Sequence, residues 1–393
     1  MRVRKRAAGL LLGAGVLLLI GTNVQAGWLF VLAALLLGAL TSGIALAARS
    51  LAGLEVEMHA PAETRQGEET SVDLVVRNLG RSARWGVVAS DEHLGGASTW
   101  IGTVRPGERV TVTTVRGAPR RGEAHTGRAE LRSAAPFGVA ERRRLRPVQA
   151  ATLVLPRTEP LGSLTFVETT ASRDAATRSE PRRGQGREYL SVREYRPGDP
   201  MRHVHWGLTA RHGELMVREF EQERTPRLAL WVDTESADVD ALDRCCTVAA
   251  SIVESATATG AGVRLSAASI DGPSLVTRTH HAEYHRWLAR LAATGIPATT
   301  ALGWLLDGPL QGVGTLVATF PVWEGRALDG LRDVVEDLVA AVPHVVLVPV
   351  TRSEDRTVWT PLRNVGASVL PWVEGVALAT ALHANVRSPA GAA

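Results

Sequence analysis

The sequence predicts a membrane hairpin, an all-β sandwich-like domain and an α/β doubly wound domain, in that order. Two uncharged apolar stretches lie near the N-terminus, and short runs of period-two alternation fill residues 54–155. From 227 to 386, apolar strand candidates alternate with amphipathic helices. Period-two alternation is typical of half-buried strands, whereas strands separated by helices indicate a mostly parallel sheet covered on both faces.

The positive charge of the chain is concentrated at its N-terminus. Residues 1–50 contain five basic residues and no acidic one, so the rest of the chain is close to neutral although the formal net charge is +4. We therefore expect no nucleic-acid binding, which requires a basic patch on the folded domain. Lys5 is the only lysine, so a P-loop or Schiff-base lysine is excluded beyond it. Cys245 and Cys246 are adjacent and alone, which excludes a cysteine zinc tetrad and a disulfide framework.

Residues 7–48 are predicted to contain two transmembrane helices, at 7–20 and 27–48. The second stretch is long enough to span a bilayer, and the first spans if it includes residues 21–24. The basic N-terminus, residues 1–6, favours a cytoplasmic location, and a hairpin then returns the chain to the cytoplasm. We expect a multi-pass protein of the cell membrane with its soluble domains on the cytoplasmic side. The alternative is a signal peptide cleaved after Ala26, which leaves the soluble domains on the same side.

Residues 54–155 are predicted to form an antiparallel β-sandwich of modest size. Strand candidates begin near residues 54, 71, 84 and 109, with Pro- and Gly-containing turns between them. The basic run at 142–146 is predicted to be a solvated strand end near the membrane surface, where it can add to the attraction for anionic lipid.

A dense block of charged residues, 188–226, separates the two soluble domains. The polar stretch before it, 168–187, predicts a flexible loop, and residues 387–393 predict a disordered tail. The block mixes arginines and carboxylates around a turn at 197–200, which favours a hydrogen-bonded lattice of guanidinium and carboxylate groups. Such a lattice can fasten the two domains together or form a contact surface. Trp206 favours the second role, because Trp and Arg are common interface anchors.

The α/β domain, 227–386, is predicted from three helices and five strands. Helices are expected at 241–258, 328–342 and 373–386. Strands are expected at 228–233, 263–270, 315–320, 345–350 and 367–370. In doubly wound sheets ligands collect at the carboxyl ends of the strands, so the residues that follow each strand are candidate site residues.

The charged block resembles the bacterial domain-of-unknown-function family fifty-eight (DUF58). The matching motif begins with an Arg-Glu-Tyr triplet, continues through a Pro-Gly-Asp turn and Trp206, and ends at Phe220. Ala135 and Val139, further upstream, depart from the family's pattern, which has an aspartate and a leucine there. The positions that we assign a partner-binding or structural role are Arg193, Glu194, Tyr195, Pro197, Gly198, Asp199, Arg202, Trp206, Arg211, Arg218 and Glu219.

The resemblance implies a membrane-tethered protein whose α/β domain is von Willebrand factor A-like and whose partner is a MoxR-type AAA ATPase. Such domains hold Mg²⁺ with a D-x-S-x-S motif after the first strand and with a Thr and an Asp from later loops. Here Asp233 and Ser236 are weak candidates, since Glu235 and Ala237 replace the two serines. We expect no metal and no cofactor, because one retained ligand does not make a coordination shell.

The predicted function is that of an adaptor or chaperone-like scaffold, anchored in the membrane and without catalysis of its own. We find no nucleophile elbow and no dinucleotide fingerprint. Other membrane proteins are possible further partners. The alternative is a metal-dependent hydrolase that uses His203, His205 and His212. His281 and His285 lie one helical turn apart, but the glutamate between them is not where an HExxH motif requires it.

Overall fold

The computed structural model forms two compact units, Met1–Pro156 and Arg157–Ala393, called here the β unit and the α/β unit. The predicted tail 387–393 lies outside the described residues, as does the predicted loop up to residue 182. The described residues are 2–3, 5–162, 164, 166, 183–196, 201, 204–221, 228–236, 238–277, 280–307, 310–322, 329–352 and 357–383.

The β unit begins with two apolar helices, α1 (Lys5–Val24) and α2 (Gly27–Arg49). They are joined by Gln25, whose φ of 51° lies in the left-handed region, and Ala26. The helices pack antiparallel, since Gly21 lies against Leu29 near the turn. By length and composition both can cross a membrane.

Two sheets enclose the core of the β unit. One contains β1, β9, β8, β5 and β6 in that order, with β3 added to β9, and the other contains β2, β4 and β7. Apolar side chains from both sheets form one core that includes Val56, Leu74, Val87 and Leu131. The strands are β1 (Arg2–Val3), β2 (Leu54–His59), β3 (Glu63–Arg65), β4 (Glu69–Asn78), β5 (Arg84–Asp91), β6 (Ala97–Val104), β7 (Arg109–Gly117), β8 (Gly122–Ser133) and β9 (Ala140–Leu155).

The β unit differs in two places from the antiparallel sandwich predicted for residues 54–155. β3 pairs with β9 in parallel, and β1, which precedes α1 and lies outside residues 54–155, pairs with β9 in antiparallel register. The arginines at 142–146 lie within β9 rather than at a strand end. The strand was hard to detect in the sequence, because a run of arginines has no apolar period.

A two-stranded ribbon, β10 (Arg183–Glu194) and β11 (Met216–Glu221), carries the charged block. Helix α3 (Trp206–His212) lies between its strands in sequence. The predicted flexible loop 168–187 was wrong for residues 183–187, which belong to β10. Register shifts between Gly184 and Ser191 interrupt the alternation of this strand, so the sequence shows no strand period there.

The α/β unit has a sheet of order β14-β13-β12-β15-β16-β17, with β18 also paired to β16. Its strands are parallel except β14, which is antiparallel to β13. This 3-2-1-4-5-6 order is that of a doubly wound fold. The strands are β12 (Leu228–Val232), β13 (Val263–Ser269), β14 (Gly272–Thr277), β15 (Thr315–Pro321), β16 (His344–Thr351), β17 (Ser368–Val369) and β18 (Trp372–Val373).

Helices cover the sheet on both faces, with one apolar core on each side. Cys245 and Cys246 are fully buried in one of these cores. The predicted helix 373–386 begins too early, because Trp372–Val373 is a strand and Gly375, with φ of 88°, separates it from the helix. The helices are α4 (Val239–Ala258), α5 (His281–Arg290), α6 (Ala298–Leu306), α7 (Asp329–Ala341), α8 (Thr360–Asn364) and α9 (Leu378–His383).

Candidate functional site

The charged block forms a loop whose two ends are fastened to each other. The backbone N–H of Tyr195 donates to the carbonyl of Leu215 at 2.7 Å, and that of His205 donates to the carbonyl of Met216 at 2.7 Å. Val204 and Val217 form a β-bridge and are both buried. The ribbon therefore holds α3 in a defined position although that helix is short.

Local capping explains why α3 begins and ends where it does. His205 is its N-cap, with Nδ1 accepting a hydrogen bond from the backbone N–H of Leu208 at 3.2 Å. Gly213, with φ of 76°, ends the helix in the left-handed conformation that favours glycine. Thr209 Oγ1 accepts a hydrogen bond from the backbone N–H of Met216 at 3.0 Å, which ties the helix to β11.

The charged block presents its described charged side chains to solvent. Glu194, Arg196 and Arg211 are exposed, and Trp206 is 62% exposed. Tyr195 is half-buried. The backbones of Arg193, Arg218 and Glu219 lie in the ribbon, where they pair with Val217, Val192 and Ser191, and Pro197, Gly198, Asp199 and Arg202 lie outside the described residues. The described charged side chains of the block are thus accessible to solvent, and the predicted lattice of guanidinium and carboxylate groups stays a prediction.

The predicted histidine cluster is represented by His205 alone, since His203 and the side chain of His212 lie outside the described part of the chain. His205 uses Nδ1 to cap α3, which is a structural role. His281 is exposed at the start of α5, whereas His285 is fully buried with Nε2 3.4 Å from the carbonyl of Ala250. Among the described residues, no three His, Cys, Asp or Glu side chains come together as a metal site.

The carboxyl edge of the sheet is closed by hydrogen bonds of the chain itself. Asp233 is 1% exposed and accepts a hydrogen bond from the backbone N–H of Glu235 at 2.9 Å. Glu235 Oε2 accepts in turn from the N–H of Ala298, the first residue of α6, at 3.0 Å. Ser236 Oγ accepts from the N–H of Asp238 at 3.1 Å. Glu235, which stands where the metal motif has its first serine, therefore caps α6.

Thr234 lies beside Asp233 and strengthens this closure. Its Oγ1 lies 2.9 Å from Oγ1 of Thr294 and donates to the carbonyl of Ala268 at 3.2 Å. The backbone N–H of Thr294 also donates to the carbonyl of Thr234 at 2.8 Å. These bonds join the end of β12 to the segment that leads into α6.

A cavity of about 310 Å³ lies in the β unit, beside the 3-10 turn His93–Gly95 and the turn between β7 and β8. His93, which is 2% exposed, lines it, together with basic and acidic residues of the β7–β8 turn. Burial, reinforced by the charge of Arg116, lowers the pKa of His93, and Asp91 opposes this shift. Both signs of charge line the cavity, so its electrostatics do not select a class of ligand.

Sequence reasoning missed a buried ion pair next to this cavity. Arg116 Nη1 and Nη2 donate to the two carboxylate oxygens of Asp91, at 2.5 and 2.9 Å. Arg116 Nη1 also donates to the carbonyl of His93 at 2.9 Å. The partners lie on different strands, and no motif joins them in the sequence.

Comparison with known proteins identifies relatives of the central part of the chain. Residues 191–304 match the family described as "Protein of unknown function DUF58". The uncharacterized protein YeaD of Bacillus subtilis (strain 168) is 41% identical over 75 residues, which cover 19% of this chain. The match spans 18% of the length of YeaD, so the rest of that protein is not represented in it.

Two solved structures resemble parts of the chain at low similarity. The SpRpn10 VWA domain has 8% identity and a TM-score of 0.31, covering 42% of this chain and 96% of that domain. The CARDB domain of PF1109 from Pyrococcus furiosus, in complex with di-metal ions, has 16% identity and a TM-score of 0.20, covering 26% and 87% of the two chains. The family match begins in β10 and ends in α6, so it takes in the exposed charged block and the carboxyl edge of β12. Residues 191–304 therefore carry the DUF58 family region, and the predicted family resemblance is confirmed.

Proposed function

We propose that this protein is a membrane-anchored scaffold that binds a MoxR-type AAA ATPase through the charged block and performs no catalysis of its own. The observation that carries the proposal is the exposure of Trp206 on a helix fixed by the ribbon. A large aromatic side chain at 62% exposure, with Arg211 exposed on the same short helix, is the composition of an interface anchor.

The chemistry of the α/β unit supports a scaffold more than an enzyme. Asp233 and Glu235, which stand where a metal motif would be, are engaged in hydrogen bonds within the chain. The nucleotide chemistry of the complex would come from the partner, because the chain has no lysine beyond Lys5 to complete a P-loop. The ATPase itself is the partner that the family resemblance implies.

The membrane side of the proposal rests on α1, α2 and the position of β1. Residues Arg2–Val3 pair with Ala140 and Glu141 of β9, so the N-terminus and the β unit belong on the same side of the membrane. Two membrane crossings, one by α1 and one by α2, place the N-terminus and the β unit on the same side. The basic residues at 1–6 then favour the cytoplasmic side, where an AAA ATPase would find its nucleotide.

Binding of the purified ATPase to the full-length, detergent-solubilised protein tests the proposal. With a non-hydrolysable ATP analogue we expect a complex that ADP weakens. Trp206→Ala should lower affinity about 30-fold, the equivalent of about 2 kcal/mol at an interface hot spot. Arg211→Ala should weaken binding too, whereas Arg332→Ala, an exposed arginine on α7, should not.

Two results would overturn the proposal in different ways. If the ATPase fails to bind a folded wild-type protein under either nucleotide, the partner is wrong. If it binds but Trp206→Ala and Arg211→Ala leave the affinity unchanged, the charged block is not the contact surface.

A further inference from the structure

Several large apolar side chains of the β unit are exposed outside α1 and α2. Four of them are called here the aromatic rim: Leu79, Trp85, Trp100 and Phe137, which are 52, 50, 67 and 50% exposed. Val115 and Leu145 are the other large apolar side chains exposed in the described residues 54–156. Monomeric soluble domains rarely group large apolar side chains on their surface without something to cover them.

The aromatic rim lies at the end of the β unit from which α2 emerges. The backbone N–H of Leu79 donates to the carbonyl of Gly53, just after α2, at 2.8 Å. The hydroxyl of Ser133 donates to the carbonyl of Trp85 at 2.8 Å, next to the turn that joins β8 and β9. A Cβ placed on Gly86 would lie 3.5 Å from Cη2 of Trp100 and 3.1 Å from Cβ of Ala135 in that turn.

The β8–β9 turn packs against the side of α2, near the C-terminal end of that helix. Nη2 of Arg146 in β9 donates to the carbonyl of Leu51, beyond the end of the helix, at 3.2 Å. Val139, at the start of the same strand, lies so close to Gly43 that a Cβ there would be 2.6 Å from its Cγ2. Gly43 precedes Arg49 by six residues, which is about 9 Å along a helix. The turn is therefore level with the last turns of the apolar helix rather than beyond them.

The first turn of α1 meets the β8–β9 turn at the same level. Val139 is 1% exposed and packs in one cluster with Ala7 and Ala47. Nη1 of Arg6 lies 2.9 Å from the position of a Cβ on Gly138. An arginine side chain at a helix end marks the lipid headgroup layer when the helix spans a bilayer, because the guanidinium group extends to the interface.

We propose that the aromatic rim is a lipid-contacting surface that seats the β unit in the interfacial layer of the membrane. Phe137 enters the boundary between headgroups and acyl chains beside Gly43. Trp85, Trp100 and Leu79 lie around it at headgroup depth, where tryptophan is favoured because its ring is apolar and its N–H is polar. Arg81 and Arg105, exposed near the same end, favour anionic headgroups. This inference rests on the membrane anchorage proposed above.

Site-specific labelling of the full-length protein in lipid vesicles tests the inference. Cys245 and Cys246 are fully buried, so a new surface cysteine can be labelled with an environment-sensitive fluorophore. We compare Phe137→Cys with Glu68→Cys, exposed at the opposite end of the β unit, and with Leu35→Cys, 63% exposed on α2. The vesicles contain phosphatidylcholine and phosphatidylglycerol, with nitroxide lipids labelled either near the headgroup or near the chain end.

We expect the headgroup-proximal nitroxide to quench the probe at 137 by about half, because amphipathic surfaces insert about 5–10 Å into this boundary. The chain-end nitroxide should quench the probe at 35 most, and neither should quench the probe at 68. Quenching at 35 without quenching at 137 overturns the lipid-contacting rim but leaves the anchor intact. If the probe at 35 is not quenched, the membrane anchorage itself is wrong.

Trp100→Cys provides a second position that does not depend on tolerance of a change at Phe137. Its probe should be quenched by the headgroup-proximal nitroxide less than the probe at 137 and more than the probe at 68. A blue-shifted probe at 100 that no nitroxide quenches would mean that protein, rather than lipid, covers the rim, and would overturn the inference.

Discussion

The β unit and the α/β unit each bury a carboxylate at the end of a strand, but they surround it differently. Asp91, at the end of β5, forms two hydrogen bonds with Arg116, and the side chains are 1% and 4% exposed. At the end of β12, Asp233 and its neighbours bond to backbone groups and hydroxyls of the adjoining loops. The carboxylate after β5 is thus paired with the opposite charge of Arg116, whereas the residues after β12 form hydrogen bonds with backbone groups and hydroxyls.

The difference predicts how each end responds to a mutation. Removal of one member of a buried ion pair leaves an uncompensated charge in a low dielectric, which is far more costly than the loss of the pair's own attraction. Loss of one neutral hydrogen bond leaves a single polar group unpaired. A single substitution at the Asp91–Arg116 pair should therefore lower the free energy of unfolding strongly. Single substitutions at the carboxyl edge of the α/β sheet should each lower it by a smaller amount.

The largest effect is expected from Arg116→Ala, which leaves the carboxylate of Asp91 buried without its guanidinium partner. We expect a loss of about 3–5 kcal/mol in the free energy of unfolding. The matched control is Arg109→Ala on the same strand, whose ion pair with Glu57 is 2.6 Å long but about half exposed. That change should cost about 0–1 kcal/mol. Urea unfolding of the full-length protein in detergent measures both, and equal losses would show that the Asp91 pair is not a special point of weakness.

A smaller effect is expected from Thr234→Val, which keeps the shape of the side chain but removes its hydroxyl. The change leaves the carbonyl of Ala268 and the hydroxyl of Thr294 without this partner, so we expect a loss of about 1–3 kcal/mol. Thr113→Val is the control, because its hydroxyl donates to Asp73 at an exposed position. The control should stay within about 0.5 kcal/mol of the wild type. A loss at Thr234 as large as that at Arg116 would contradict the contrast between the two units.

Glu235→Ala should have a still smaller effect on stability, because the carboxylate caps α6 from a neighbouring loop. We expect a loss of about 0.3–1 kcal/mol, which is typical of a charge at a helix N-terminus. Glu235→Gln retains an acceptor for the N–H of Ala298 and should recover part of this loss. Thermal unfolding of the two variants separates the hydrogen bond from the charge. If Gln is no better than Ala, the capping interaction does not stabilise the helix.

The last prediction concerns the dependence of stability on pH under mildly acidic conditions. Burial, and after it the charge of Arg116, hold the pKa of His93 below its ordinary value of 6.5. The unfolded chain therefore takes up a proton before the folded one, and the free energy of unfolding falls as the pH drops below about 6.5. His93→Asn should flatten the dependence of the melting temperature on pH between neutral and mildly acidic conditions. His59→Asn, which changes an exposed histidine, should retain the wild-type slope.

The helices and the strands with a regular apolar period were within reach of the sequence. The helix expected at 241–258 is present as α4, in which Leu242, Cys245 and Ile252 are buried. Strand β14 was missed, and the arginine-rich part of β9 was expected only as a strand end, because a half-exposed edge strand and a run of arginines have little apolar pattern. For the candidate site, the motif located the charged block, but it did not show that Trp206 and Arg211 are exposed.

The sequence by itself determined two apolar helices, alternating strands and a parallel sheet, because these depend on periods of a few residues and on the cost of burying polar groups. It also determined the family region, because the motif lies within one short segment. Only the tertiary structure decided that Asp91 meets Arg116, that Glu235 caps α6, and that Phe137 lies beside Gly43. These contacts join residues far apart in the chain, and they depend on strand pairing and helix packing that no local pattern specifies.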